Sequence, residues 1–284
     1  MSVPVTVGLL HPGRMGAAIA AQVTSNGHTV LWCPDGRSEA THRRATDARL
    51  RPVVLGELIA DSEIILSICP PAVAEEIAVH VADAGYSGIY VDANAISPAR
   101  MQRIATRLVE AGAAVVDGCI VGPPPGGRPS TRLYLAGAET ASRRVADLIA
   151  WTSAEAVHLG ERTGQASALK MAFASYQRAS RAAAVAHALA DDHDVIDTLL
   201  HEARRMPSDI LADRNYLPSL VGRAWRWVPE MHEVADTLRE QHLPADLALA
   251  TAEILQRWAD ATIDEATDPA TVLLHLHEHR RPAP

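Results

Sequence analysis

The chain has 284 residues, a formal charge of −8, 48% apolar residues and only 4% aromatic residues. That length suits one large domain or two ordinary ones, with a core of alanine, valine and leucine that needs no staples. The acidic balance argues against a nucleic-acid surface, no apolar run reaches the roughly 18 residues of a membrane span, and no basic-then-apolar leader opens the sequence.

In chain order, the first half alternates short apolar runs with helical patterns. Val5–Leu10, Thr29–Trp32, Ile64–Ile68, Ile89–Val91 and Ala114–Val116 read as buried strands. Helices are expected near Met15–Ser25, Ala72–Ala84 and Pro98–Ala111, with Gly27 and Gly112 as stops after two of them. Alternation of this kind predicts a mainly parallel, doubly wound sheet joined by right-handed crossovers. The turn-rich Gly122–Gly127 follows the fifth strand, and Leu133–Ala136 and Ala156–Leu159 are candidate edge strands. After about Arg162 the strand pattern stops. Helices are then expected over Gly164–Ala190, Val195–Arg205, Val228–Gln241, Ala245–Asp264 and near Pro269–His279, punctuated by Pro207, Pro218, Pro229 and Pro244. The expected architecture is an α/β Rossmann domain over residues 1–162 followed by an all-α domain over 163–284. The polar tail with its several histidines reads as a frayed terminus, so no metal site is expected.

The stretch His11-Pro12-Gly13-Arg14-Met15-Gly16 lies where the first strand turns into a helix. In a dinucleotide fold one glycine there admits the pyrophosphate backbone and a later one lets helix and strand pack closely. Free N–H groups at the helix start then face the phosphates. His11 occupies the place of the first expected glycine, while Pro12 can fix much of the turn. The alternative is a generic Gly-rich turn. After the second strand come Asp35, Arg37 and Ser38. A carboxylate there suits NAD and an arginine suits the extra phosphate of NADP. Arg37 with Ser38, backed by Arg43 and Arg44, favours NADP; a solvated basic helix face is the alternative.

Of the 26 basic residues only Lys170 is a lysine. Arginine stays charged and cannot trade protons near neutral pH, whereas a lysine in a dry site can. The three cysteines, Cys33, Cys69 and Cys119, are far apart and read as reduced thiols of a cytoplasmic protein.

Seven segments in order, Gly13–Gly16, Gly36–Ala45, Val91–Pro98, Val116–Pro125, Thr131–Gly137, Gly164–Ala174 and Arg226–Ala235, resemble the 3-hydroxyacid dehydrogenase and 6-phosphogluconate dehydrogenase superfamily. Within it, the chain is most similar to bacterial NAD(P)-binding proteins with a phosphogluconate-dehydrogenase-like helical C-terminal domain. The resemblance implies a Rossmann domain binding NADPH, a small-molecule substrate, and a homodimer with interlocked helical domains. It implies cofactor contacts from His11, Pro12, Gly13, Arg14, Met15, Arg37, Ser38, Cys69, Pro70 and Asn94. Lys170 takes the general acid/base position, with Asn94 and Ser97 beside the nicotinamide ribose; Ser97 also reads as a helix cap before Pro98. Substrate contacts are implied for Gly118, Ile120, Val121 and Gly122, and in the helical domain for Phe173, Gln177, Trp227 and Met231. Three departures stand out. Ala174 replaces an asparagine of the hydroxyacid dehydrogenases, Val121 a serine of their substrate loop, and Gln177 and Arg178 stand near a glutamate of the phosphogluconate dehydrogenases. A plain 3-hydroxyacid or 6-phosphogluconate substrate is therefore doubtful. The leading expectation is an NADPH-dependent oxidoreductase acting on a carbonyl or carbinol carbon. Imine reduction on the same scaffold and non-catalytic NADPH binding are the alternatives.

Overall fold

The structure, a computed structural model, describes residues 3–126, 131–182, 190, 194–205, 217–240, 245–259 and 267–276. It divides into two compact units, Met1–Lys170 and Met171–Pro284, so the division falls inside a helix that begins at Gln165, a few residues after the expected 162/163 boundary.

The first unit is built on an eight-stranded sheet. The strands are β1 (Thr6–Leu9), β2 (Thr29–Trp32), β3 (Arg51–Pro52), β4 (Ile64–Ser67), β5 (Ile89–Asp92), β6 (Ala114–Val121), β7 (Thr131–Ala136) and β8 (Ala154–Gly160), in spatial order β3-β2-β1-β4-β5-β6-β7-β8. Strands β1 to β6 pair in parallel, while β7 runs antiparallel to β6 and parallel to β8. The order reverses between β1 and β4, the switch point beside which open α/β sheets bind ligands. The helices of this unit are α1 (Arg14–Ser25), α2 (Glu39–Asp47), α3 (Leu55–Asp61), α4 (Ala74–Asp83), α5 (Pro98–Glu110) and α6 (Glu139–Asp147), and α7 (Gln165–Ala182) begins in it.

Burial explains why the central strands read as continuous apolar runs. Both faces are covered. Val7, Leu9, Ile64 and Leu66 pack with Ile19 and Val23 of α1 and Val145 of α6. On the other face Leu31, Ile65 and Tyr90 pack with Leu58 of α3, Val81 of α4, and Met101 and Ile104 of α5. Gly8 is needed at the centre of β1, because a Cβ there would lie 2.6 Å from Ser62 Oγ and 2.7 Å from Leu58 Cδ2.

Several expectations are corrected. β7 is an interior strand, since a full strand, β8, continues the sheet beyond it. The fifth expected strand, β6, runs on to Val121 because β7 supplies an antiparallel partner for Asp117–Val121. The second unit contains α8 (Ile196–Arg204), α9 (Leu217–Glu240), α10 (Asp246–Ala259) and α11 (Pro269–Leu274). Helix α9 starts eleven residues before the expected Val228. Pro218 falls in its first turn, where the missing N–H costs nothing. Pro229 lies inside it on the exposed face, while Leu220, Val221, Ala224, Trp227, Met231 and Val234 make a buried stripe that outweighs one lost hydrogen bond. Trp258 is fully buried in this unit and donates through Nε1 to Val272 O at 2.9 Å. Among the described residues no helix is long and apolar enough to cross a membrane.

Candidate active site

The turn after β1 is held by its backbone. Gly13 N–H donates to His11 O at 2.9 Å, closing the chain on itself where the first glycine is missing. A Cβ at Gly16 would overlap that same His11 oxygen, so α1 passes against the turn only because residue 16 has no side chain. Gly13 caps α1 with no side-chain hydrogen bond, which leaves the helix start without a side chain of its own over the first-turn N–H groups. The turn is thus closed and α1 packs against it with His11 in place of one glycine, and the His11 ring edge lies 3.1 Å from where a Gly13 Cβ would be.

Two arginines close over this turn. Arg37 Nη2 donates to Leu10 O (3.2 Å) and Nη1 to His11 Nδ1 (3.3 Å), while its Nε is buried and without a partner. Arg44 Nε donates to Pro12 O (3.2 Å) and Nη2 to Thr41 Oγ1 (2.9 Å). Burial first, then these two cations, push the His11 imidazole below its ordinary value, so it is neutral at pH 7 and accepts from Arg37. Ser38 caps α2, accepting from Thr41 N. Arg43 instead pairs with Glu39 in solvent, and Asp35 is exposed. An uncapped helix start, a glycine that admits close approach and an unspent guanidinium donor fit the phosphates of a dinucleotide.

The ends of β4 and β5 are clasped by Asn94. Its Oδ1 accepts from Cys69 N at 2.6 Å and its Nδ2 donates to Ser67 Oγ at 2.9 Å. With 3% of its surface exposed, Asn94 holds the Cys69–Pro70 loop against the strand ends; Pro70 itself is exposed. Ser97 caps α5 by accepting from Arg100 N at 3.3 Å, with Pro98 at the first helical position. Burial pushes the Cys69 thiol up to about 12, so it stays protonated.

Asp92, at the end of β5, is almost wholly buried. Burial raises its carboxyl to about 7 against the Asn94 hydrogen bonds, and its Oδ2 has no partner. The unfolded chain releases this proton near pH 4. Between those values the folded state binds the extra proton, so stability falls as pH rises through that window and the penalty is complete above about pH 7. Asp92→Asn removes the charge. The variant's Tm minus the wild-type Tm should therefore widen in favour of the variant from pH 5 to pH 8 in thermal melts. A constant or narrowing gap would contradict a carboxyl of this kind.

Strand β6 carries the remaining groups. Lys170 Nζ donates to Ile120 O at 3.2 Å, which sets the chain's one lysine on the backbone that leads into the Gly122 loop. Gly118 faces β5, where a Cβ would lie 3.1 Å from both Asp92 O and Ala93 Cβ. Val121 is half-buried, and Gly122 is exposed with φ +113°. Cys119 is fully buried, and burial pushes its thiol up to about 12, with Lys170 opposing.

Sequence reasoning missed Asp117. It is fully buried, and it accepts from the N–H groups of Gly164, Ala166 and Ser167 and from Ser167 Oγ. Burial raises its carboxyl while those donors pull it back. In the sequence it is one acidic residue just past the expected strand Ala114–Val116, and its partners lie about fifty positions away.

In the second unit Phe173 and Gln177 are half-buried on α7, and Trp227 and Met231 are buried on α9. The Arg178 guanidinium carbon lies 4.4 Å from the Trp227 ring centroid, and Nη2 meets Glu230 Oε2 at 3.4 Å; a second nitrogen contacts Gln177 Oε1. Trp225 is 60% exposed and does not join this cluster. Gly127 and the tail after Leu276 lie outside the described residues.

Residues 6–160 match the family described as the NAD binding domain of 6-phosphogluconate dehydrogenase. The chain belongs to that family. Membership makes this 6-phosphogluconate dehydrogenase-like protein an NAD(P)-dependent oxidoreductase. Residues 190–258 match a domain of unknown function (DUF1932). Solved structures share the fold. A conserved hypothetical protein from Sinorhizobium meliloti 1021 is 21% identical with TM-score 0.69, over 98% of this chain and 97% of that one. A 3-hydroxyisobutyrate dehydrogenase from Mycobacterium tuberculosis, solved with L-serine, is 17% identical with TM-score 0.73, over 98% and 100%. A reductive aminase from Aspergillus terreus, solved with NADPH and ethyl levulinate, is 16% identical with TM-score 0.54, over 96% and 99%. No curated protein matches the chain in sequence.

Proposed function

We propose that this protein is an NADPH-dependent reductase of small carbonyl compounds, reversible to the alcohol, with Lys170 as the group that handles the proton on the substrate oxygen. The observation that carries the reading is the Lys170 ammonium, held at 3.2 Å on the Ile120 carbonyl of the strand that leads into the Gly122 loop. It is the only lysine in this sequence, and arginine, which supplies every other basic residue, cannot act as a proton donor.

The turn from His11 to Gly16 and the α1 N–H groups would hold the pyrophosphate. Arg37, Arg44 and Ser38 would meet the ribose phosphate. Asn94, by fixing the Cys69–Pro70 loop, would shape the nicotinamide end. When bound, the nicotinamide supplies the hydride or accepts it back. In the reducing direction Lys170 gives its Nζ proton to the carbonyl oxygen as the carbon is reduced, and solvent restores it. In the oxidising direction neutral Lys170 takes the hydroxyl proton. Burial and capping leave Asp92, Asp117, Cys69 and Cys119 no free role in that transfer.

Ala174 and Val121 stand where the hydroxyacid dehydrogenases carry an asparagine and a serine, which supports a substrate less polar than a 3-hydroxyacid. The likeness to a reductive aminase solved with NADPH supports the same cofactor and keeps imines as an outcome to be tested. The proposed working form is a cytoplasmic homodimer with interlocked helical domains.

The cofactor choice rests on Arg37. A charge-assisted hydrogen bond contributes about 1.5–3 kcal/mol, so Arg37→Ala should weaken NADPH by roughly 10- to 100-fold and NADH far less. Fluorescence titration of both nucleotides checks this. Equal losses for the two would remove the NADPH assignment.

A further inference from the structure

We infer that Asp117 is a positioning residue for Lys170, holding α7 in one register against β6 so that the ammonium stays where the proton transfer needs it. The inference rests on the reading of Lys170 given above.

A helix start leaves its first N–H groups without partners inside the helix. In α7 nearly all of these groups go to one side chain. Asp117 Oδ2 accepts from Gly164 N at 2.8 Å and Ala166 N at 2.9 Å. Its Oδ1 accepts from Ser167 N at 3.1 Å and Ser167 Oγ at 2.7 Å. The remaining group, Gln165 N, donates to Arg162 O at 3.3 Å, and Gln165 Oε1 accepts from Arg162 N. A local serine or asparagine would cap the helix equally well for its own sake. This cap comes instead from a sheet strand that is paired on both sides, with Asp117 facing Asp92 on β5 and Ala136 on β7.

The second tether is Lys170 itself, on Ile120 O. Asp117 and Ile120 are three residues apart on β6, and Ser167 and Lys170 are three apart on α7. The strand therefore grips the helix at its start and again one turn later. Asp117 is fully buried, and a buried carboxylate without its donors is expensive. If α7 slid or rotated, the carboxylate would lose several donors together. That cost gives the helix a single register, and the lysine inherits it.

Because Lys170 is the chain's only lysine, its position has a readout separate from turnover. Reductive methylation with ¹³C-formaldehyde labels Lys170 and the α-amine alone. In the folded protein the Lys170 methyl resonance should stand apart from that of a free lysine, and Asp117→Asn should move it toward the free value. Ser167→Ala, which removes one donor and keeps the carboxylate, should move it less and in the same direction; it also serves if Asp117→Asn does not fold. A resonance unmoved in either folded variant would overturn the inference. In unlabelled protein Asp117→Asn should lower kcat roughly 10- to 100-fold with NADPH affinity kept, and should have no further effect in a Lys170→Met background. Equal losses in both backgrounds would mean a structural role only and would also overturn it. Lys170→Met with full turnover would overturn the reading of Lys170 instead, while the resonance would still report whether Asp117 sets its position.

Discussion

Lys170→Met is expected to lower kcat for carbonyl reduction by roughly 10²- to 10⁴-fold, the usual contribution of a positioned general acid. Methionine keeps the length and the apolar stem of lysine and removes the only donor on Ile120 O that this side chain supplies. NADPH affinity, measured by fluorescence without turnover, should change little. The residues proposed to hold the phosphates come from the turn after β1 and from Arg37 to Arg44, and none of them contacts Lys170 through a described hydrogen bond. Lys170→Arg is the informative control. It restores a cation and a donor but cannot release a proton near neutral pH, so it should remain impaired. If arginine restored turnover, the lysine would be acting as a fixed charge, and the proton would come from elsewhere.

Gly16→Ala should damage both stability and cofactor binding. The added Cβ would overlap the His11 carbonyl oxygen, a backbone atom that cannot swing away. Forcing the turn and α1 apart should cost on the order of 1–3 kcal/mol in stability and weaken NADPH by at least about tenfold, since the same displacement spoils the helix start that faces the phosphates. Gly13→Ala is the matched comparison. Its Cβ would meet only the edge of the His11 ring, at 3.1 Å, and its backbone (φ −68°) suits any residue. A rotation of that ring relieves the contact, so the loss should be smaller. Thermal melts and nucleotide titration of both variants check the order. If Gly13→Ala proved the worse of the two, close packing of α1 on the turn would not be what the second glycine serves.

The parallel strands were legible because a strand covered on both faces is largely apolar, as Ile64–Leu66 is. What stayed hidden was local structure with a weak pattern. Strand β3 is Arg51–Pro52, two exposed residues that pair only because β2 leaves an edge open. Helix α6 contains arginines, a serine and an aspartate, and its few buried residues, Ala141, Ser142 and Val145, make a thin stripe. The prolines of α9 misled in the opposite direction, since exposure of Pro229 and a long buried face let the helix run through. In the candidate site, Lys170 was legible from composition and Ser97 from its place before Pro98. Arg43 and Arg44 could not be told apart in sequence. One pairs with Glu39 a turn earlier, and the other reaches back to Pro12 O. Asp117 was illegible in principle, because a cap supplied across about fifty residues leaves no spacing to read.

The central claim is lysine-assisted reduction of a carbonyl with NADPH. Its most direct test is NADPH oxidation with matched pairs of substrates, each a ketone or oxo acid beside its preformed imine, with wild type and Lys170→Met. The account predicts carbonyl turnover that collapses in the variant. Turnover confined to the imines, and surviving in Lys170→Met, would contradict it and move the chemistry to an already protonated substrate.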